Sequence, residues 1–154
     1  MSTDVEAPVA RLYADLLAAW NRRDAAGMAA LYAPKGGQVG FDGSSVNGPD
    51  EIAAHIAPIF RDHPTGRFVG KVREVRAMGN NAALLRAVAG LVPPGKDDIN
   101  PAVNAIQTLV ASRTGDSGWR IEMFQNTPAQ FHGRPAEQEK LTAELRQLAQ
   151  AERG

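Results

Sequence analysis

Two side chains in the first half of the sequence have the chemistry for moving protons. Asp42 follows a short apolar segment, and His55 lies on the apolar face of a predicted helix. A carboxylate can act as a general base when an apolar pocket raises its pKa, whereas histidine titrates near neutral pH without such help. We therefore predict Asp42 and His55 as the candidate catalytic residues of a proton-transfer site.

Each of these residues also has a purely structural interpretation. Asp42 begins the sequence DGSS, in which a carboxylate commonly accepts a hydrogen bond from the backbone two residues further on. His55 can be a residue at the edge of the core whose ring bonds to a carbonyl group. Both interpretations stay open for both residues at this point.

A second group of polar residues interrupts two apolar segments that flank the turn sequence GDSG and predict a long β-hairpin. If Thr114 pairs with Trp119, one face of the hairpin carries no charge. That face consists of Ile106, Thr108, Val110, Ile121, Met123, Gln125 and Thr127. We predict that it lines a pocket in which Thr108, Met123 and Gln125 contact a ligand.

Two alternatives to this pocket wall remain open. The hydroxyl of Thr108 and the amide of Gln125 can bond to each other or to nearby backbone and bind nothing. A β-bulge would shift the register of the strands and turn Asn126 toward the pocket, so Asn126 is a further ligand-binding candidate.

Aromatic residues recur at helical spacing in the first sixty residues. Most of them should pack the core, because an apolar stripe at this spacing is the buried face of a helix. We predict that Tyr13, Trp20 and Phe60 also reach the ligand.

Composition limits the classes of function. Lys and Arg together number 17, as do Asp and Glu, so the net charge of zero gives no reason to expect binding to nucleic acid or to an anionic membrane. The chain has no Cys, its three His lack metal-site spacing, and no Gly-rich dinucleotide fingerprint occurs. We therefore expect no metal and no cofactor. The beginning of the sequence lacks the pattern of a signal peptide, so a cytoplasmic protein is expected.

Hydrophobic periodicity and turn residues predict the elements that would position these side chains. The predicted helices span about 4–22, 24–33, 49–63 and 135–153, and the predicted strands span 38–42, 67–78, 82–92 and the two arms of the hairpin. Helices come first and hairpins later, which is typical of an α+β fold. We predict a strongly curved antiparallel sheet around the N-terminal helices, with a cone-shaped cavity. Residues 1–134 would form this single domain, and residues 135–154 a C-terminal helical tail.

This arrangement resembles the nuclear transport factor 2-like (SnoaL-like) superfamily over residues 5–131. The resemblance rests on the two hairpins and on the segments LLAAWNRRDAAGMAALYAP, VNGPDEIAAHIAPIF and SGWRIEMFQNTPA. The last segment is most similar to the SgcJ/EcaC group, whose members occur with polyketide pathways, including enediyne clusters.

The resemblance implies a homodimer that forms through the convex face of the sheet. It also implies a protein of bacterial secondary metabolism that holds an apolar, polyketide-type intermediate for isomerisation, cyclisation or dehydration without a cofactor. A non-catalytic ligand-binding or accessory protein of a polyketide synthase is the alternative. In isomerase-like members, an Asp base works with a Tyr on the first helix, and the corresponding position here is Leu16 rather than Tyr13.

Overall fold

The computed structural model describes residues 3–115 and 118–153, so Asp116 and Ser117 of the predicted GDSG turn lie outside the described residues. Its elements are α1 (Thr3–Asn21), α2 (Ala25–Ala29), β1 (Tyr32–Val39), β2 (Ser45–Asn47), α3 (Pro49–Asp62), β3 (Arg67–Ala77), β4 (Ala82–Val92), a short 3-10 helix (Pro101–Val103), β5 (Ala105–Arg113), β6 (Trp119–Pro128) and α4 (Pro135–Arg153). Within the described ranges, no helix is both long enough and apolar enough to cross a membrane.

The six strands form one curved sheet in the order β2-β1-β6-β5-β4-β3. Neighbouring strands run antiparallel except β1, which pairs with β6 in parallel. The predicted α+β fold with a curved sheet and a C-terminal helix is confirmed. The parallel pair was not predicted, and it joins the first long strand of the chain to the last strand.

The main core lies between the concave face of the sheet and the helices α1 and α3. Helix α1 buries a stripe at three- and four-residue spacing because that spacing keeps side chains on one side of a helix. Its end is tied to β3 by Asn21, whose side-chain amide donates to the carbonyl of Phe68 and accepts from the amide of the same residue. The apolar stripe of α1 consists of Val5, Val9, Leu12, Tyr13, Leu16 and Ala19.

The first strand differs from the prediction. We predicted that helix 2 would continue through Ala33 and that a strand would begin at Gln38, but α2 ends at Ala29 and β1 begins at Tyr32. The Pro and Gly residues that indicated a break instead lie in an irregular strand, whose register against β6 shifts between Tyr32 and Gly37. Bulged strands tolerate such residues because ladder hydrogen bonds are already interrupted there.

Helix α4 covers part of the convex face of the sheet. Its residues Leu141 and Leu145 are buried against Val69 and Val88, which point away from α1. Near this contact, the guanidinium of Arg73 donates to both carboxylate oxygens of Glu144 and lowers the pKa of that carboxyl to about 2. The predicted helical tail is therefore packed on the sheet by apolar and ionic contacts.

Candidate ligand-binding site

A cavity of about 340 Å³ lies between the concave face of the sheet and helices α1 and α3. This volume falls in the range of small-molecule sites. The lining is mainly apolar, and it contains no Lys or Arg among the described residues. It is formed by Leu16, Leu17, Trp20, Met28, Gln38, Val39, Gly40, Phe41, Asp42, His55, Ile56, Ile59, Phe68, Leu91, Val103, Gln107, Phe124 and Asn126.

Trp20, one of the predicted ligand-binding residues, forms an aromatic wall of this cavity. Its ring centroid lies 5.4 Å from that of Phe68 and 5.1 Å from that of Phe60, and its indole N–H donates to the carbonyl of Gly66 at 3.0 Å. Phe60 is buried behind Trp20, under the guanidinium of Arg23. Phe60 therefore supports the wall and is not among the lining residues.

A chain of hydrogen bonds runs from the core to the cavity through Gln107. The buried hydroxyl of Tyr13 donates to Gln107 Oε1 at 2.6 Å, and Gln107 Nε2 donates to Asn126 Oδ1 at 3.1 Å. Tyr13 is 2% exposed, and this burial raises the pKa of its hydroxyl far above the ordinary value. Tyr13 therefore remains a neutral donor that orients the wall from behind, and it is not among the lining residues.

A second tyrosine–glutamine pair lies on the first strand. The hydroxyl of Tyr32 donates to Gln38 Oε1 at 2.7 Å, and burial raises the pKa of this hydroxyl in the same way. Gln38 is 8% exposed and lines the cavity. Both glutamine oxygens are thus occupied by tyrosine hydroxyls, and the amide nitrogens remain to face other groups.

The prediction of which hairpin face lines the pocket is wrong. Thr108 and Gln125 are register partners on β5 and β6, as the prediction required, but they lie on the convex face together with Met123. Gln125 is exposed, and neither it nor Thr108 nor Met123 lines the cavity. The bulge alternative is the one observed, and it places Asn126 in the cavity lining.

The cause is an extra residue in β6. Near the turn, Arg113 pairs with Trp119 and Ala111 pairs with Ile121, but the next pair is Val110 with Met123, so Glu122 is the bulged residue. Because side chains alternate along a strand, one extra residue turns every later side chain to the other face. The charged residues near the turn therefore do not indicate which face is convex farther along β6, beyond the bulge.

Asp42 and His55 both line the cavity, so the structure brings the two predicted catalytic candidates together there. Asp42 is exposed, and its Oδ1 accepts the backbone N–H of Ser44 at 2.9 Å, which is the predicted turn contact. That amide, and to a smaller extent the charge of His55, lowers the pKa of Asp42. The shift is opposite to the one that a desolvated general base would show. Asp42 is therefore a carboxylate held in a turn, and His55, which is partly buried, lies in the same cavity lining.

Sequence reasoning missed Gln38 and Gln107 as site residues. Gln107, Leu109 and Ala111 are every second residue of β5 and are all buried. This period of two places Gln107 on the core face. This pattern indicates the core face, but the prediction assigned the face that carries Gln107 to the convex side because charged residues occur on it nearer the turn. Gln38 carried no comparable signal because its strand was predicted to begin at that residue.

Several solved structures have the same fold. A domain of unknown function with a cystatin-like fold from Nostoc punctiforme has a TM-score of 0.79 and 26% sequence identity, covering 93% of this chain and 88% of its own. An NTF-2 like protein of unknown function from Shewanella oneidensis has a TM-score of 0.64 and 22% identity, covering 78% and 96%. A ketosteroid isomerase-like protein from Erwinia carotovora atroseptica has a TM-score of 0.63 and 17% identity, covering 80% and 95%. The fold is therefore the cystatin-like, nuclear transport factor 2-like α+β fold.

The family can be stated more narrowly. The sequence model of the SnoaL-like domain matches residues 13–115, which is most of the chain, and the protein belongs to the SnoaL-like domain family. No curated protein sequence matches the chain.

Proposed function

We propose that the protein binds an apolar small molecule in the cavity between the sheet and helices α1 and α3. The observation that carries this proposal is the cavity itself, which has an apolar lining with few polar groups and a volume of about 340 Å³. Burial of apolar ligand surface contributes roughly 25 cal/mol per Å², so such a lining binds an apolar molecule without any charged contact.

Ile59→Trp will abolish binding of N-phenyl-1-naphthylamine, a neutral dye whose fluorescence rises in apolar surroundings. Ile59 lines the cavity from α3, and the larger side chain fills the space that the dye needs. Ala57→Trp is the matched control because Ala57 is exposed on the same helix. Fluorescence titration of the two variants and the wild type tests the proposal. Unchanged binding by Ile59→Trp, or no binding by the wild type, would overturn it.

Proton transfer is the second function that we propose, because Asp42 and His55 line the same cavity. His55 would remove a proton from a carbon next to a carbonyl group and return it to the same or another carbon. Isomerisation of this kind needs no redox partner because the proton lost at one carbon is regained at another, and cyclisation or dehydration can begin with the same step. Asp42 would hold the protonated ring of His55 by charge.

His55→Ala will slow deuterium exchange at the methyl group of 2-acetylnaphthalene by about 100-fold relative to the wild type. The exchange is followed by NMR in deuterated water, and its rate reports removal of the proton next to the carbonyl. His63→Ala serves as the control because His63 is exposed at the end of α3. If the wild type fails to accelerate exchange, or if both variants exchange at the wild-type rate, the protein is the non-catalytic binder.

We further propose that the protein is cytoplasmic and serves bacterial secondary metabolism in the manner of the SgcJ/EcaC group, with a polyketide-type intermediate as its ligand. The resemblance of the segment SGWRIEMFQNTPA to that group supports this proposal.

We also propose a homodimer that forms through the part of the convex face not covered by α4. Ile106 is 36% exposed there, and Arg86 pairs with Glu74 at 3.5 Å on the same surface. Ile106→Glu would place a charge in this contact, so sedimentation that gives a dimer for the wild type and a monomer for the variant would support the proposal. A wild-type monomer would overturn it.

A further inference from the structure

We propose that the cavity selects ligands that carry a neutral hydrogen-bond acceptor, such as a ketone, and that the amide nitrogens of Gln38 and Asn126 hold that acceptor together. The inference rests on the proposed ligand-binding function and adds the chemical class of the ligand. It follows from the orientation of three amide side chains, which is determined by two buried tyrosines.

The tyrosines determine the orientation because each buried hydroxyl must donate its hydrogen. Tyr13 and Tyr32 are buried phenols whose pKa is raised, so neither becomes an acceptor-only phenolate. The oxygens of Gln107 and Gln38 are the acceptors that they contact. Turning either amide around would leave a buried O–H without an acceptor, which costs about 1–3 kcal/mol.

The orientation of Gln107 in turn determines the orientation of the Asn126 side-chain amide. Because Gln107 Oε1 accepts from Tyr13, its Nε2 is the donor toward Asn126, which therefore presents Oδ1 to Gln107. The remaining polar atom of Asn126 is Nδ2, a donor. Within the described part of the chain, neither Nδ2 of Asn126 nor Nε2 of Gln38 has a hydrogen-bond acceptor.

The two donors belong to the same wall of the cavity. Gln38 on β1 is the register partner of Phe124 on β6, and Asn126 follows two residues later on the same face. All three residues line the cavity. Residues diagonal to each other on neighbouring strands lie roughly 7–8 Å apart, within reach of one ligand atom for side chains of this length.

The surroundings favour a neutral acceptor over a charged one. The described lining residues include no Lys or Arg, so a carboxylate would lose its hydration without gaining an ammonium or guanidinium partner. An ammonium group would meet two donors at this wall, and the carboxylate of Asp42 elsewhere in the lining is exposed and already accepts the backbone N–H of Ser44. A carbonyl oxygen has two lone pairs and can accept from both amides at once.

The experiment compares three probes of nearly the same shape as competitors of N-phenyl-1-naphthylamine at pH 8. They are 2-acetylnaphthalene, which has a carbonyl; 2-isopropenylnaphthalene, in which a methylene group replaces the carbonyl oxygen; and 1-(2-naphthyl)ethylamine, which carries an amine. We expect the wild type to bind the ketone about tenfold more tightly than the hydrocarbon, and the amine most weakly.

Asn126→Asp tests the wall directly, because the carboxylate keeps an oxygen for Gln107 but replaces the donor Nδ2 by an acceptor. We expect this variant to lose the preference for the ketone over the hydrocarbon and to bind the amine about tenfold more tightly than the wild type does. Gln125→Glu makes the same chemical change one residue earlier, on the convex face, and should keep the wild-type order.

Equal binding of the ketone and the hydrocarbon by the wild type would overturn the inference, as would a retained ketone preference in Asn126→Asp. In either case, displacement of the dye by the probes, together with the loss of dye binding in Ile59→Trp, would still support the cavity as an apolar ligand site. Failure of the dye to bind the wild type at all would instead overturn the proposed function itself.

Discussion

Gly36→Ala will lower the free energy of unfolding by about 3 kcal/mol and the melting temperature by about 10 °C. A Cβ atom at this position would lie 2.2 Å from the carbonyl oxygen of Ile121 and 3.1 Å from backbone atoms of Ala33. These contacts are with backbone, so no flexible side chain can move aside. The added methyl group would push β1 away from β6, the pair that places Gln38 beside Phe124.

Gly40→Ala is the matched control for this substitution. Its Cβ would meet Asp42 Oδ1 at 3.5 Å and the carbonyl of Ser44 at 3.9 Å, which are ordinary contacts. We expect a change within about 1 kcal/mol, since the loss of chain entropy in the unfolded state offsets small strain. Thermal unfolding of the two variants measures the difference. Equal stability of both would contradict the close approach of β1 to β6.

Gln107→Leu will destabilise the fold by about 3 kcal/mol because it leaves the buried hydroxyl of Tyr13 without an acceptor and removes a donor from Asn126. Tyr13→Phe will cost about 1–2 kcal/mol, since it leaves Gln107 Oε1 unpaired. The double variant should cost less than the sum of the two by about 1–2 kcal/mol, because no unpaired hydroxyl or glutamine oxygen remains.

Urea unfolding of the two single variants and the double variant measures this coupling. Tyr13→Phe combined with Tyr32→Phe is the control, because the two tyrosines bond to different glutamines. Their effects should add within about 0.5 kcal/mol. A Tyr13–Gln107 coupling as small as that of the control pair would show that the hydrogen bond does not orient the amide.

Local patterns predicted most of the secondary structure. The bounds of β4 and α4 agree with prediction, and α1 differs by one residue at each end. These elements have strong periodicity and clear turn residues, so short-range preferences and tertiary packing favour the same structure. The first strand was misplaced because Pro34 and the following glycines are poor strand formers, and their pairing with β6 depends on contacts about ninety residues away.

The candidate site was predicted less well than the fold for a related reason. Asp42, His55 and Trp20 line the cavity, and a helical stripe or a strand end determines their position. The hairpin face depends on a single bulged residue, Glu122, which neither composition nor alternation reveals. The sequence predicted Asn126 in the pocket only for the case in which a β-bulge shifts the register.

The proposed apolar ligand lies in the cavity against the concave wall of the sheet. The most direct test is a proton–nitrogen correlation NMR spectrum of the isotope-labelled protein during titration with 2-acetylnaphthalene. We expect the side-chain amide signals of Gln38 and Asn126 and the indole signal of Trp20 to shift with one dissociation constant, while the side-chain signal of Gln125 stays in place. Shifts at Gln125 with none at Gln38, Asn126 or Trp20 would place the ligand on the convex face and contradict the claim.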